Sequence, residues 1–249
     1  MDIRRKLRIE ENRKVSSRTW FLRLRGDLTG LTRAGQFVNI GIPGKYLRRP
    51  ISVSRYFTGE KELHLLYNVA GEGTEILSEM REGEELDVLI GLGNGFSISS
   101  GIRHPLLLGG GIGAAPLVQL AVELMENGIV PQVVVGYNTK DESWGLEEQL
   151  RDLGIACHVA TVDGSEGTKG FVTDAIKAKG LQFDYFYACG PMPMLKSLSG
   201  LPEPGEMSLE SRMGCGFGAC MCCSLETLTG SKRICKEGPV FKKEELIWK

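Results

Sequence analysis

Ten residues near the end of the chain, Gly214-Cys215-Gly216-Phe217-Gly218-Ala219-Cys220-Met221-Cys222-Cys223, hold four of its seven cysteines. A fifth, Cys235, follows after eleven further residues. Glycine or alanine fills four of the six other positions, so the stretch has almost nothing to bury. The segment 203–249 around it is too short to build a substantial core of its own, and such a segment needs a staple. The cysteine count is odd, and adjacent Cys222 and Cys223 are awkward partners for ordinary bridges. The N-terminus, Met1 to Glu10, is charged and lacks the apolar core of a signal peptide, which leads us to expect a cytoplasmic protein. Thiols stay reduced there, so clustered cysteines point to metal or redox chemistry.

A chain of 249 residues suits two modest domains and a small appendage. Hydrophobic residues make up 42% and charged residues 24%, the balance of an ordinary globular protein. A net charge of −1 gives no electrostatic case for nucleic acid or an acidic membrane surface. No apolar run approaches the roughly 18–20 residues of a membrane span.

Residues 1–100 read as mainly β. Lys6–Glu10, Thr19–Arg25, Gln36–Ile40, Ile51–Tyr56, Glu62–Tyr67 and Glu85–Ile90 mostly alternate apolar and polar residues between turn signals, with one helix near Gly73–Met80. Short strands at this spacing predict a small antiparallel barrel. Over 101–202 the pattern changes to buried runs (Pro105–Gly109, Val133–Tyr137, Ile155–Val162, Phe183–Cys189) alternating with helical periodicity, which predicts a doubly wound parallel sheet. The expected fold class is therefore multidomain, β followed by α/β, with 203–249 as a small third domain.

Leu108-Gly109-Gly110-Gly111-Ile112-Gly113-Ala114-Ala115-Pro116 runs from strand through turn to helix. The glycines would let backbone approach a ligand, and the helix start favours a pyrophosphate, with Gly110, Gly111, Ile112, Gly113 and Ala114 as the contacts. Pro116 stands where the third glycine of the dinucleotide fingerprint would fall, and a tight βα turn would use the same glycines. Cys189-Gly190-Pro191 ends the last buried run, where strand ends of such sheets line a ligand crevice. A small buried residue beside a turn explains Cys189 equally.

In the β-rich half, Arg49-Pro50-Ile51-Ser52 opens a strand. Arg49 suits a flavin's phosphate or ring edge, and Ser52 can hydrogen-bond nearby. Tyr67-Asn68-Val69-Ala70-Gly71-Glu72-Gly73-Thr74 leads from strand into helix, where Gly73 and Thr74 would offer donors to a phosphate. Each motif alone could be structural punctuation. Their order along the chain resembles the ferredoxin reductase superfamily, in which an FAD-binding barrel precedes a nicotinamide domain.

Cys215, Cys220, Cys223 and Cys235 follow C-x4-C-x2-C-x11-C, whose first two gaps are those of a plant-type 2Fe–2S ligand run. Glycines 214, 216 and 218 would let the chain wrap a cluster and direct N–H groups at its sulfurs. Structural zinc also takes four cysteines, usually as two close pairs, and only Cys220 and Cys223 make such a pair here. Cys222 falls outside the spacing and Cys157 sits in a strand. Glu210 to Cys220 and Ile234 to Phe241 resemble the electron-transfer subunit of type B dihydroorotate dehydrogenase. That resemblance implies FAD, NAD and a 2Fe–2S cluster. It also implies a partner, an FMN-containing catalytic subunit that oxidises dihydroorotate in pyrimidine biosynthesis, in a heterotetramer with two chains of each kind. No side chain of this chain is expected to act as acid or base. Asn94-Gly95-Phe96 is a further candidate for the nicotinamide. Relay subunits of hydrogenase, sulfide dehydrogenase or transhydrogenase complexes share the first two domains, and a zinc-stabilised binding module is the non-redox alternative.

Overall fold

The computed structural model describes residues 3–248. Six strands, β1 (Arg4–Lys14), β2 (Thr19–Arg25), β3 (Phe37–Ile40), β4 (Arg49–Phe57), β5 (Glu62–Asn68) and β6 (Glu85–Leu92), close into a barrel in the order β1-β2-β5-β4-β3-β6. The alternation that predicted them fills its interior: Leu7, Ile9, Leu22, Leu24, Val38, Ile40, Ile51, Val53, Leu63, Leu65, Val88 and Ile90 are all buried there. Closure removes the exposed edges that a small sheet would otherwise present. Helix α1 (Glu72–Glu79) follows β5 and drives Leu77 into the same core. Its C-terminal carbonyls are capped by Asn12, whose Nδ2 donates to Leu77 at 2.8 Å and Met80 at 2.9 Å.

The second half is a sheet of seven strands, named here in chain order. These are β7 (Pro105–Gly110), β8 (Gln132–Tyr137), β9 (Cys157–Thr161), β10 (Thr168–Lys169), β11 (Tyr185–Cys189), β12 (Gly205–Ser208) and β15 (Val240–Lys242), arranged as β10-β9-β8-β7-β11-β12-β15. All neighbours run parallel except β12 and β15. Strands buried on both faces need continuous apolar runs, and Leu106–Leu108, Val133–Val135 and Phe186–Ala188 supply them. The faces are covered by α2 (Ala115–Glu126), α3 (Leu146–Asp152), α4 (Val172–Lys179) and α5 (Met192–Leu198). The strand order turns back between β7 and β11, which opens a crevice at their C-terminal ends.

The tail does not stand apart from this sheet. Both β12 and β15 lie beyond residue 202, yet β12 pairs with β11 and β15 completes the edge. Phe241, Leu246, Ile234 and Cys235 share one core with Met207 of the sheet and with Phe37, Leu89 and Leu92 of the barrel. The cysteine loop and a hairpin, β13 (Ser224–Thr227) with β14 (Gly230–Arg233), lie outside the seven-stranded sheet. A short segment that lacks a core of its own has borrowed two.

Candidate functional site

Arg49 and Gly73, 24 positions apart, meet on the outside of the barrel. The Arg49 guanidinium lies against the first turn of α1 so closely that any Cβ at Gly73 would collide with it. Its Nη1 donates to the carbonyl of Leu47 at 2.5 Å. A cation and the free N–H groups of a helix start are thereby brought to one spot, the arrangement an anionic phosphate needs. Ile51 points into the barrel core, while Pro50 is exposed and Ser52 partly so. The Thr74 hydroxyl is occupied locally: it accepts from the N–H groups of Ala70 at 2.9 Å and Gly71 at 3.2 Å and donates to the Gly71 carbonyl. Tyr67 is buried, with its hydroxyl donating to Asn12 Oδ1 at 2.9 Å, so it braces α1 from inside. Asn68 Oδ1 accepts from the Thr19 hydroxyl at 2.8 Å, and Val69 packs on the barrel core.

The glycine turn and the Cys-Gly-Pro turn also meet, at the crevice between β7 and β11. A Cβ at Gly110 would reach Pro191 Cδ at 2.7 Å, and one at Gly113 would strike the backbone of Cys189 and Gly190. These two glycines are therefore required by the contact between the turns. Gly111 is different: its φ is +54° and nothing lies within 4 Å of where a Cβ would project. It is the one glycine of this turn open to a ligand, at the first position of the 3-10 turn that leads into α2. Ile112 packs partly against the core and Ala114 is fully buried. Burial pushes the Cys189 thiol up to about 12, against a smaller lowering by the Ser208 side chain, so it is neutral at pH 7. It offers packing to a neighbour and no thiolate.

Asn94-Gly95-Phe96 is committed elsewhere. The Asn94 amide donates to the carbonyls of Glu237 at 2.8 Å and Val240 at 3.0 Å, tying the barrel exit to the tail. Phe96 is buried edge-on against Tyr187, with ring centroids 5.6 Å apart.

The cysteine loop is shaped by backbone. Gly216 and Gly218 have φ of +79° and +92°, and Met221 adopts +60° between them and the hairpin. A Cβ at Gly214 would lie 3.1 Å from Cys220 Sγ. Cys215 Sγ accepts from the N–H groups of Ala219 at 3.2 Å and Cys220 at 3.4 Å, and Cys220 Sγ accepts from Cys215 at 3.4 Å. The hairpin β13–β14 makes the second pair, because Ser224 lies opposite Arg233 and so returns the chain to its start. Cys235 N–H donates to Cys223 Sγ at 3.4 Å, and both residues are buried. The Arg233 guanidinium reaches across to the Gly218 carbonyl and pairs with Glu237, bracing loop against hairpin.

These sulfurs group two and two, Cys215 with Cys220 and Cys223 with Cys235. Two thiolates for each of two irons is the division a 2Fe–2S cluster needs. Partial burial raises the Cys215 thiol, but N–H groups of Cys220, Phe217 and Ala219 outweigh it and bring the group to about 6. The donor set thus fits the cluster. Cys222 is exposed, and its sulfur only brushes the Arg212 carbonyl at 3.7 Å.

The outer pair sits against the barrel. Asn39 of β3 donates from Nδ2 to the Cys215 carbonyl at 3.2 Å, and Asn39 lies in register with Pro50 of β4. Reading the sequence did not single out Asn39. Its signal was slight: one amide inside Phe37-Val38-Asn39-Ile40, a run otherwise apolar.

A family model described as the iron–sulfur cluster binding domain of dihydroorotate dehydrogenase B matches residues 210–247. A protein of a Geobacillus species, named as the electron transfer subunit of dihydroorotate dehydrogenase B (NAD(+)), is 42% identical over 250 residues and spans 96% of both chains. The chain belongs to this family of electron-transfer subunits. Its relative of the same name in Fusobacterium nucleatum is 41% identical, with 94% of each chain covered. Among solved structures, an NADH-dependent reduced ferredoxin-NADP oxidoreductase superposes with a TM-score of 0.88 at 31% identity, over 97% of this chain and 90% of that one. A ferredoxin NADP+ reductase from Neisseria gonorrhoeae, with FAD and NADP bound, shares the fold at a TM-score of 0.66 and 15% identity, over 79% of this chain and 89% of that one. Family and fold agree with the barrel, the doubly wound sheet and the cysteine tail.

Proposed function

We propose that this chain relays electrons between NADH and the FMN of a dihydroorotate dehydrogenase catalytic subunit, through its own FAD and 2Fe–2S cluster. NADH releases its electrons together as hydride, a two-iron cluster takes them singly, and a flavin exchanges with both. Arg49 and the α1 start around Gly73 hold the FAD phosphates. The outer surface of β4 at Pro50 and Ser52 supports its ring. The open Gly111 and the start of α2 receive the nucleotide pyrophosphate, and the neutral Cys189 packs where β7 and β11 part. Cys215, Cys220, Cys223 and Cys235 hold the cluster, and Cys222 stays outside it. The choice of NAD over NADP follows the relatives, which are named for NAD(+).

The observation that carries this reading is the contact between Asn39 and Cys215. It sets the cysteine loop on the barrel beside the strand that bears the flavin motif. Separate structural roles for the two motifs would not require that adjacency. In the assembly proposed, two of these chains join two catalytic chains, and the whole works in the cytoplasm as part of pyrimidine biosynthesis.

The ferredoxin-NADP oxidoreductase likeness favours a second reading, a relay subunit of a different complex. Affinity purification under anaerobic conditions separates them. Recovery of an FMN-containing catalytic chain, with NADH bleaching first flavin and then cluster absorption, supports the first. Recovery of ferredoxin-reducing subunits instead overturns it. Zinc in place of iron overturns both.

A further inference from the structure

Asn39 does more than fill space on β3. It is 1% exposed, and a buried amide needs partners for both of its ends. Nδ2 has one, the Cys215 carbonyl. Oδ1 is buried with none. Arg48 Nη1 donates to the Asn39 carbonyl at 3.3 Å and to the Asp87 carbonyl at 2.9 Å, pinning the backbone of β3 to β6. On the loop side the fit is as close, since a Cβ at Gly216 would run into the Asn39 amide. Gly216 also has a left-handed φ of +79°, so glycine is demanded there twice over.

Resting on the relay reading above, we infer that Asn39 is the positioning residue that sets the separation between the flavin-bearing strand and the cysteine loop. Its Nδ2 fixes the carbonyl of the first cluster ligand, and its backbone is locked in register with Pro50. Electron transfer between two centres falls steeply with distance, so a tether at their junction governs the rate of that step. Asn39 touches no reacting atom and works through Cys215.

Asn39→Asp keeps the size, replaces the donor with an acceptor, and sets a negative charge beside the Cys215 carbonyl. Gly216→Ala attacks the same contact from the loop. Both should be made in the full chain, purified anaerobically and assayed for FAD and iron content. Redox titration by electron spin resonance and stopped-flow reduction by NADH follow. FAD content reports a folded barrel. The expected result for both variants is cluster reduction at least tenfold slower relative to flavin reduction, with Asn39→Asp also moving the cluster potential to more negative values. Wild-type potential together with a wild-type ratio of the two rates in both variants overturns the tether and leaves the relay standing. Wild-type protein without FAD or iron overturns the relay, and this inference falls with it.

Discussion

The guanidinium of Arg49 rests on the backbone of Gly73, with no room between them for a methyl group. This contact joins the two motifs that the sequence offered as phosphate ligands. It also explains a glycine inside the first turn of a helix, where alanine is ordinarily better by about 1 kcal/mol.

Gly73→Ala should therefore weaken FAD binding without unfolding the barrel. The new methyl group displaces Arg49, and a lost hydrogen bond to a charged group costs roughly 1.5–3 kcal/mol. At about 1.4 kcal/mol per factor of ten, that is on the order of a tenfold to hundredfold rise in Kd. Flavin fluorescence during titration of deflavinated protein measures it. Unchanged affinity would remove Arg49 from the phosphate site.

Cys222 and Cys223 are chain neighbours with opposite surroundings. Cys223 is buried beside Cys235, whereas Cys222 is exposed. Cys223→Ser should lose the cluster, visible as loss of iron and of the electron spin resonance signal of the reduced protein. Cys222→Ser should retain about two irons per chain. The reverse pattern would reassign the ligands.

The barrel was legible in the sequence because pairs such as Leu63 with Leu65 and Val88 with Ile90 repeat at the strand period and all face inward. The buried runs of the sheet were legible for the same reason. The pairing of the tail with that sheet was not. Glu206-Met207-Ser208 and Val240-Phe241 are too short to show a period, and their place is set by partners far away in sequence. Side-chain direction was the other hidden quantity. Tyr67 reads as a ligand contact from its motif, yet its ring is inside the barrel. Nothing along the chain shows that the cysteine loop covers Asn39, an amide in an otherwise apolar strand. Chemistry at a spacing is visible along a chain; coverage by a distant segment is not.

Glu206 should make stability fall with rising pH. Burial raises its carboxyl above the ordinary range, only partly offset by donors from Ser97, whose N–H lies 2.9 Å away. The folded state therefore holds a proton that the unfolded chain releases near pH 4.3. From about that pH upward to the folded-state value, the folded form binds more protons, and stability declines. Glu206→Gln keeps an acceptor for Ser97 without the charge. Its thermal midpoint should exceed that of the wild type at pH 8, and the difference should shrink as pH falls toward 4. An advantage independent of pH would show that the charge is not the cause.

Glu123 of α2 should be the fastening between barrel and sheet. Its carboxylate accepts from the Ala34 N–H at 2.9 Å and 3.1 Å, from the Tyr56 hydroxyl at 3.3 Å and from Gln119 Nε2 at 3.2 Å. Gln119 Oε1 accepts in turn from the Tyr56 N–H at 3.4 Å. Two elements of the barrel thus converge on one turn of one helix. Glu123→Ala leaves the Ala34 N–H and the Tyr56 hydroxyl without their acceptor. Leaving a buried donor unpaired costs about 1–3 kcal/mol. In a chain of this size that lowers the thermal midpoint by roughly 2–4 °C per kcal/mol. The same loosening lets the crevice at Gly111 drift relative to β4, so hydride transfer from NADH should slow while the cluster potential stays put. Stopped-flow absorbance at the flavin band reads the first effect and redox titration the second. A variant that melts early but reduces its flavin at the wild-type rate would show that the contact stabilises the two halves without aligning them.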